Sequence, residues 1–365
     1  MTQRPRPDPW NTLPEPIPAR NEADLRGRAA GGRDPAPVIA VIVSHDRPAL
    51  LRRCLTALAA QRRPPDATLV IDNASPPSTA AVVADFPAVR HIRLPRNLGG
   101  AGGFRAGIGK AMAAGAGAIW LMDDDGLPAS PDCLAGLLAA AEGKGGIVAP
   151  LILDIERPDR LAFPVRIAGR TRFHLAELEG RAQVAGFAHL FNGALIARET
   201  FERIGLPEPR YVIRGDEVEF LRRALRAGLE VRIETACRFL HPSSHGEIEP
   251  ILFGRFYATV PATEAKRYYQ FRNRGQIFRA YGLWGYLLAD IVRYGWFYLV
   301  TRRADLRGFA SWLGTTAKGW HGGFLRAPWN DAEGPPPYPT PATGMAGAAR
   351  MALPLLMRGA TRPRP

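Results

Sequence analysis

From Val38 the chain alternates short unbroken apolar runs with stretches where leucine and alanine return at helical spacing. Val38–Ser44 (VIAVIVS) reads as a buried strand, and 49–60 as a helix. Residues 68–71 form a second strand that ends at Asp72-Asn73, and 89–94 a third. A glycine-rich turn and a helix over about 102–114 follow, then a fourth strand over 118–122 (AIWLM). A helix over 130–141 and a strand over 146–150 close this rhythm. Apolar strands without polar alternation, separated by helices, predict a parallel sheet covered on both faces.

Beyond 150 the pattern loosens. Residues 151–198 read as irregular strands and loops that end in the apolar run 189–197 (HLFNGALIA). An amphipathic helix over 216–227 and a strand over 231–240, stopping at His241, come next. The expected organisation has four parts: an extended, proline-punctuated arm over 1–36 and one α/β domain over 37–260, followed by a helical, aromatic-rich region over 261–325 and a basic Pro/Ala/Gly-rich tail over 326–365.

Composition narrows the partners. Apolar residues make up 46% of the 365, enough for a full core, and 48 basic against 34 acidic residues favour anionic partners. Nucleic acid is set aside, because the charge is spread along the chain and no nucleic-acid-binding motif occurs. Cys54, Cys133 and Cys237 show no CxxC spacing, which fits a reducing compartment and implies no zinc site. The opening MTQRPRPDPW does not resemble a signal peptide, so the expected location is cytoplasmic. Nothing in the sequence assigns an oligomeric state.

In open α/β sheets ligands bind at the carboxyl ends of the strands. Here those ends carry Ser44-His45-Asp46-Arg47, Asp72-Asn73, Arg96-Asn97-Leu98-Gly99-Gly100 and Asp123-Asp124-Asp125. The three adjacent carboxylates after a buried strand repel one another unless a cation sits among them, and Mg²⁺ or Mn²⁺ commonly links carboxylates to substrate phosphates. The segment 97–104 (NLGGAGGF) lets backbone N–H groups approach a diphosphate at a helix start, but it lacks the GxGxxG spacing of dinucleotide-binding enzymes. Asp72 suits a base or ribose, and Arg47 a phosphate or base. Asp216 and Glu217 open a helix, where acids serve as caps or as a general base. His241, followed by Pro-Ser-Ser-His245, ends a strand from which a histidine can complete a metal sphere.

These segments, in this order over about residues 38–275, resemble family 2 glycosyltransferases of the GT-A fold: VIVSHDR, VIDNAS, RNLGGAGGF, LMDDDG, GDEVEF and KRYYQFRNR. Within the family the resemblance is to galactofuranosyltransferases first and bacterial rhamnosyltransferases second. It implies a Rossmann-like, doubly wound mixed sheet with a helical C-terminal extension. It also implies inverting transfer from a nucleotide-sugar, UDP-galactofuranose ahead of dTDP-rhamnose, to a glycan or lipid-linked acceptor. By that resemblance Asp123, Asp125 and His241 hold Mn²⁺ or Mg²⁺. Ser44, Arg47, Asp72, Asp123 and Asp124, with Asn97, Gly99, Gly100, Gly102 and Gly103 of the loop, bind the nucleotide-sugar. The acid pair supplies the base. Position favours Glu217, whose extra methylene reaches further, and residue type favours Asp216; the expectation is Glu217 as base with Asp216 in support.

The 20-residue segment 281–300 is apolar but interrupted by Asp290 and Arg293. With Arg279, Arg302 and Arg303 nearby, it suits either an interfacial helix, giving peripheral contact with an anionic membrane through 277–313, or a helix packed on the catalytic domain or a partner. A dinucleotide-dependent oxidoreductase would need a glycine fingerprint after the first strand. A non-enzymatic basic module that binds membrane or nucleic acid would leave the three aspartates unexplained.

Overall fold

The computed structural model describes residues 36–142 and 145–322. The arm expected over 1–36, Ala36 apart, the tail over 326–365 and the last residues of the helical region lie outside the described residues.

The first strand sets the layering. In β1 (Val38–Ser44), Ile39, Val41 and Val43 enter one core with Phe104, Ile108 and Ala111 of helix α3 (Gly99–Ala113). Val38, Ala40 and Ile42 enter the other with Leu51, Cys54, Leu55 and Leu58 of α1 (Pro48–Ala59). Successive strand residues point to opposite faces, so a strand apolar at every position must be covered twice.

Around β1 lie β2 (Ala67–Asp72), β3 (Val89–Arg93) and β4 (Ala118–Asp123), all parallel, in the order β3-β2-β1-β4. Helix α2 (Pro77–Ala84) links β2 to β3. A short β5 (Leu127–Pro128) and α4 (Cys133–Ala141) lead to β6 (Ile147–Asp154). The chain then forms β7 (Arg160–Ile167), β8 (Arg170–His174) and β9 (Gln183–Ala185). It returns as β10 (Asn192–Ala197), which inserts antiparallel between β4 and β6. Helices α5 (Arg198–Ile204) and α6 (Asp216–Arg226) precede β11 (Val231–His241), which runs parallel to β6.

The sheet is therefore mixed. Its reversal at β10 is hidden in the sequence, because a strand buried on both faces shows the same apolar run in either direction.

After the hairpin β12 (Ile248–Ile251) and β13 (Phe256–Thr259) come three long helices. They are α7 (Glu264–Ala280), α8 (Trp284–Gly295), continued as a π-helical stretch over Trp296–Thr301, and α9 (Leu306–Trp320). α7 crosses α9 at backbone contact: a Cβ on Gly275 would fall 2.1 Å from the Thr316 oxygen, and one on Gly319 1.8 Å from the Arg272 oxygen. The two charges that interrupt the apolar segment have a structural use. Asp290 is buried and accepts from Arg274 Nε (2.7 Å) and Nη2 (2.8 Å) of α7, and it pairs with Arg293 as well. This clamp fixes α8 on α7. Among the described residues no helix is long and apolar enough to cross a membrane.

Candidate active site

Sheet register brings the chemistry to one edge. Ser44 lies opposite Asp72, Val43 opposite Asp123, and Asp72 opposite Arg93. Helix α3 starts beside them and lies unusually close to the sheet, because a Cβ on Gly103 would fall 2.6 Å from Val43 Cγ1 and one on Gly107 2.3 Å from Val41 Cγ1.

The three aspartates have three different environments. Asp124 turns inward and is buried, accepting from Ser44 Oγ at 2.8 Å and from Arg47 Nη1 at 3.2 Å. Asp125 accepts from the same guanidinium at 2.6 Å, and its other oxygen lies 3.0 Å from His241 Nε2. Asp123 is half-buried at the end of β4. Burial and then the charges of Asp125, Asp124 and Asp216 push its pKa well above the ordinary carboxylate range. Burial also raises Asp124, against the Ser44 hydrogen bond and Arg47. Asp125 moves the other way, since His241 and Arg47 outweigh its burial. Burial works against the Arg47 charge, but the aspartates win and hold its pKa above the usual value.

The contact between Asp125 and His241 has a consequence for binding. His241 Nδ1 lies 2.7 Å from the Pro242 oxygen, which can only accept, so the neutral ring carries its proton on Nδ1. In that form its Nε2 lone pair faces Asp125 Oδ1, a buried oxygen with no other hydrogen-bond donor, whereas a protonated ring donates to it. Two facing acceptors at this distance repel unless a proton or a cation lies between them. The donor set, one carboxylate and one imidazole, suits Mn²⁺ or Mg²⁺.

Among the described residues no three His, Cys, Asp or Glu side chains converge as a ready metal site. Asp123 thus does not join Asp125 and His241 as the expected third ligand in this conformation. The strand's two-residue period, which would put both carboxylates on one side, is broken where the chain turns from Asp123 to Gly126. His245 is elsewhere, with Nε2 donating to the Leu161 oxygen at 2.7 Å.

The nucleotide side divides as well. Asp72 is fully buried, accepting from the Ser75 amide (2.7 Å), with His91 Nε2 at 3.0 Å and Arg93 Nη1 at 3.5 Å on its other oxygen. Asn97 is exposed and its Oδ1 accepts from the Gly99 amide at 2.8 Å. Gly99 has φ 71° and lies against the Val212 backbone, where a Cβ would fall 2.2 Å from the Val212 oxygen. Gly100 faces Asp216, whose Oδ2 lies 3.8 Å from where its Cβ would be. Gly102 and Gly103 are buried inside α3, and Gly103 packs against Val43 of the sheet.

Asp216 and Glu217 are separated by the helix start. Asp216 is buried; burial and the neighbouring Glu217 push its pKa up to about 7, against the backbone N–H groups around it. Glu217 accepts from the Leu190 amide and lies 3.8 Å from His189 Nδ1.

Two residues to which the sequence assigned no role support these groups. Asn73 is buried, donates to the Gly99 oxygen at 2.8 Å and accepts from the Leu98 amide at 3.0 Å, so it ties the glycine loop to β2. Its place directly after Asp72 at a strand end was the available signal. His189 packs on Phe163 and Phe187, with Phe163 also against His241; its position before an apolar run carried no signal.

The strand-end carboxylates under Arg47, the tethered glycine loop and the acid pair lie along a mixed α/β sheet, in a chain whose sequence is that of a glycosyltransferase. The family model for glycosyl transferase family 2 matches residues 39–203, and the chain belongs to that family of enzymes. The chain is 42% identical over 283 residues to the galactofuranosyltransferase GlfT1 of Mycobacterium tuberculosis, covering 76% of this chain and 93% of that protein. To its counterpart in Mycolicibacterium smegmatis it is 40% identical over 284 residues, covering 76% and 94%. In fold it is similar to the crystal structure of S. aureus TarS 1-349, with TM-score 0.52 and 11% identity over 79% of this chain and 82% of that one.

The crowding of acids makes stability depend on pH with a definite sign. A carboxyl whose folded pKa exceeds its unfolded value destabilises the fold as pH rises through the window between them, for Asp216 from about 4 to about 7. Asp216→Asn therefore melts above the wild type at about pH 8, and the gain shrinks toward about pH 4. Thermal melts of both proteins across that range check this; a gain that grows on acidification contradicts it.

Proposed function

We propose that this enzyme moves galactofuranose from UDP-galactofuranose to a hydroxyl of a glycan or lipid-linked acceptor, inverting the anomeric centre and depending on Mn²⁺ or Mg²⁺. The observation that carries the reading is the buried Asp125 oxygen facing His241 Nε2, a pair that needs a proton or a cation between its two atoms. The 42% identity to a galactofuranosyltransferase supports the choice of sugar. Asp125 and His241 would hold the cation, which when bound offsets charge on the departing diphosphate. Arg47, half exposed and pinned by Asp124 and Asp125, adds a fixed positive charge beside it. Ser44 fixes Asp124, and the Gly100 amide, at the start of α3, would approach the donor, the Gly99 amide being held by Asn97. Asp72, sealed by His91 and Arg93, shapes the nucleoside end through those two side chains.

In the displacement the acceptor oxygen forms its bond to the anomeric carbon and gives its proton to a carboxylate. The bond to the diphosphate breaks on the opposite face. Asp216 suits the proton better than Glu217, reversing the order expected from position: its pKa near 7 matches neutral working conditions, and Glu217 is tethered to the Leu190 amide. Glu217 then positions the 189–190 segment.

The 277–313 region supports peripheral membrane contact on the cytoplasmic face. Trp284, Leu288, Ile291 and Val292 of α8, Leu299 and Val300 beyond it, and Leu306 and Leu313 of α9 are exposed, and Arg279, Arg302, Arg303 and Arg307 are exposed among them.

Transfer should stop in excess EDTA and return with Mn²⁺ or Mg²⁺; full activity in EDTA removes the metal from the account. Across a panel of UDP- and dTDP-sugars, UDP-galactofuranose should be consumed, whereas use of dTDP-rhamnose alone overturns the donor and keeps the class. In flotation assays the protein should rise with liposomes containing anionic lipid; binding to neither anionic nor neutral vesicles favours a packed or partnered helix face.

A further inference from the structure

The motif KRYYQFRNR, part of the family resemblance, supplies none of the strand-end groups. It lies on α7, outside the strand ends, and its Asn273 is completely buried. The Asn273 amide nitrogen lies 2.9 Å from the Tyr211 oxygen and 3.1 Å from the Ile213 oxygen, and it also donates to the Arg214 oxygen. Asn273 Oδ1 accepts from Arg272 Nε (3.0 Å) and Nη2 (2.9 Å), and Arg272 Nη2 reaches the Arg210 oxygen at 2.7 Å. Tyr269 supports the Arg272 guanidinium, 5.0 Å from its ring centre.

What these two side chains hold is a strained piece of backbone. Val212 has φ 64° and ψ −65°, and the Ile213 amide donates to the Tyr211 oxygen at 2.7 Å, which together make a γ-turn of the rare positive-φ kind. A β-branched residue is ill suited to that region. Arg214 and Gly215 follow with φ 64° and 95°, so three of the four residues before Asp216 have positive φ. Such backbone persists only where its surroundings over-determine it. On its other side the turn meets the glycine loop: the Val212 oxygen accepts from the Ala101 amide at 3.2 Å and lies against Gly99.

We infer that Asn273 is a positioning residue for proton transfer: it clamps the strained Tyr211–Val212–Ile213 turn and thereby fixes Asp216 beside the donor loop. This rests on the reading of the acid pair as the source of the base. The donor loop keeps its own anchor, Asn73. Loosening the turn should therefore act on turnover more than on the donor.

The test is steady-state kinetics on the full chain for Asn273→Ala and Asn273→Ser, beside Asp216→Asn and Glu217→Gln, with melting temperature read for each. A misplacement of about 1 Å costs on the order of a hundredfold, so kcat of Asn273→Ala should fall by about that factor while donor KM stays within about threefold. Asn273→Ser keeps one hydrogen-bond donor and should recover part of the loss; should Asn273→Ala not fold, the serine variant carries the same KM-against-kcat comparison. A kcat that falls only with the folded fraction, or a donor KM that rises as much as kcat drops, overturns the inference. If Asp216→Asn and Glu217→Gln both leave turnover intact, the acid-pair reading falls and the inference with it. If they abolish turnover while both Asn273 variants keep wild-type kcat, the inference alone falls.

Discussion

Carboxylates crowded at the end of one buried strand repel each other, and the surrounding structure is arranged around that repulsion. Asp124 is neutralised from below by Ser44 and Arg47, Asp125 from the side by Arg47 and His241, and Asp123 is left with its pKa raised. Each partner comes from a different element: the end of β1, the residue before α1, and the end of β11. The strands must therefore pair in this order and register before these partners can reach the aspartates. The compensation at Asp125 Oδ1 depends on a proton or a cation: with a neutral His241 ring, Nε2 faces that oxygen without a donor. Residual repulsion of that kind is what a bound cation relieves, so the fold and the expected chemistry meet in one contact.

Much of this was legible in the sequence, because the informative residues sit at the ends of strands whose apolar runs mark them clearly. Val38–Ser44 has the same bounds in the structure, and β4 ends at the first aspartate. The acids and the glycine loop could be found because polar residues after four apolar runs converge when those runs form one sheet edge. Direction was not legible at β10, where burial on both faces erases the pattern that would distinguish parallel from antiparallel pairing.

Individual roles were harder to read. Gly103 is a glycine like Gly99, and only its distance to Val43 reveals that packing against the sheet occupies it. Asp290 and Arg293 looked like breaks in an apolar segment, although with Arg274 they form the ion pair that holds α8. Asn273 makes contacts some 60 residues back along the chain, and no local period can encode those. These are long-range facts, and they explain why the C-terminal helices, remote in sequence, close one side of the loop before Asp216.

The most direct measurement is an anomalous difference map from crystals grown with UDP and Mn²⁺. A manganese peak should lie between Asp125 and His241, in contact with the diphosphate. Ordered UDP with no peak there, or a peak held by other side chains, would contradict it.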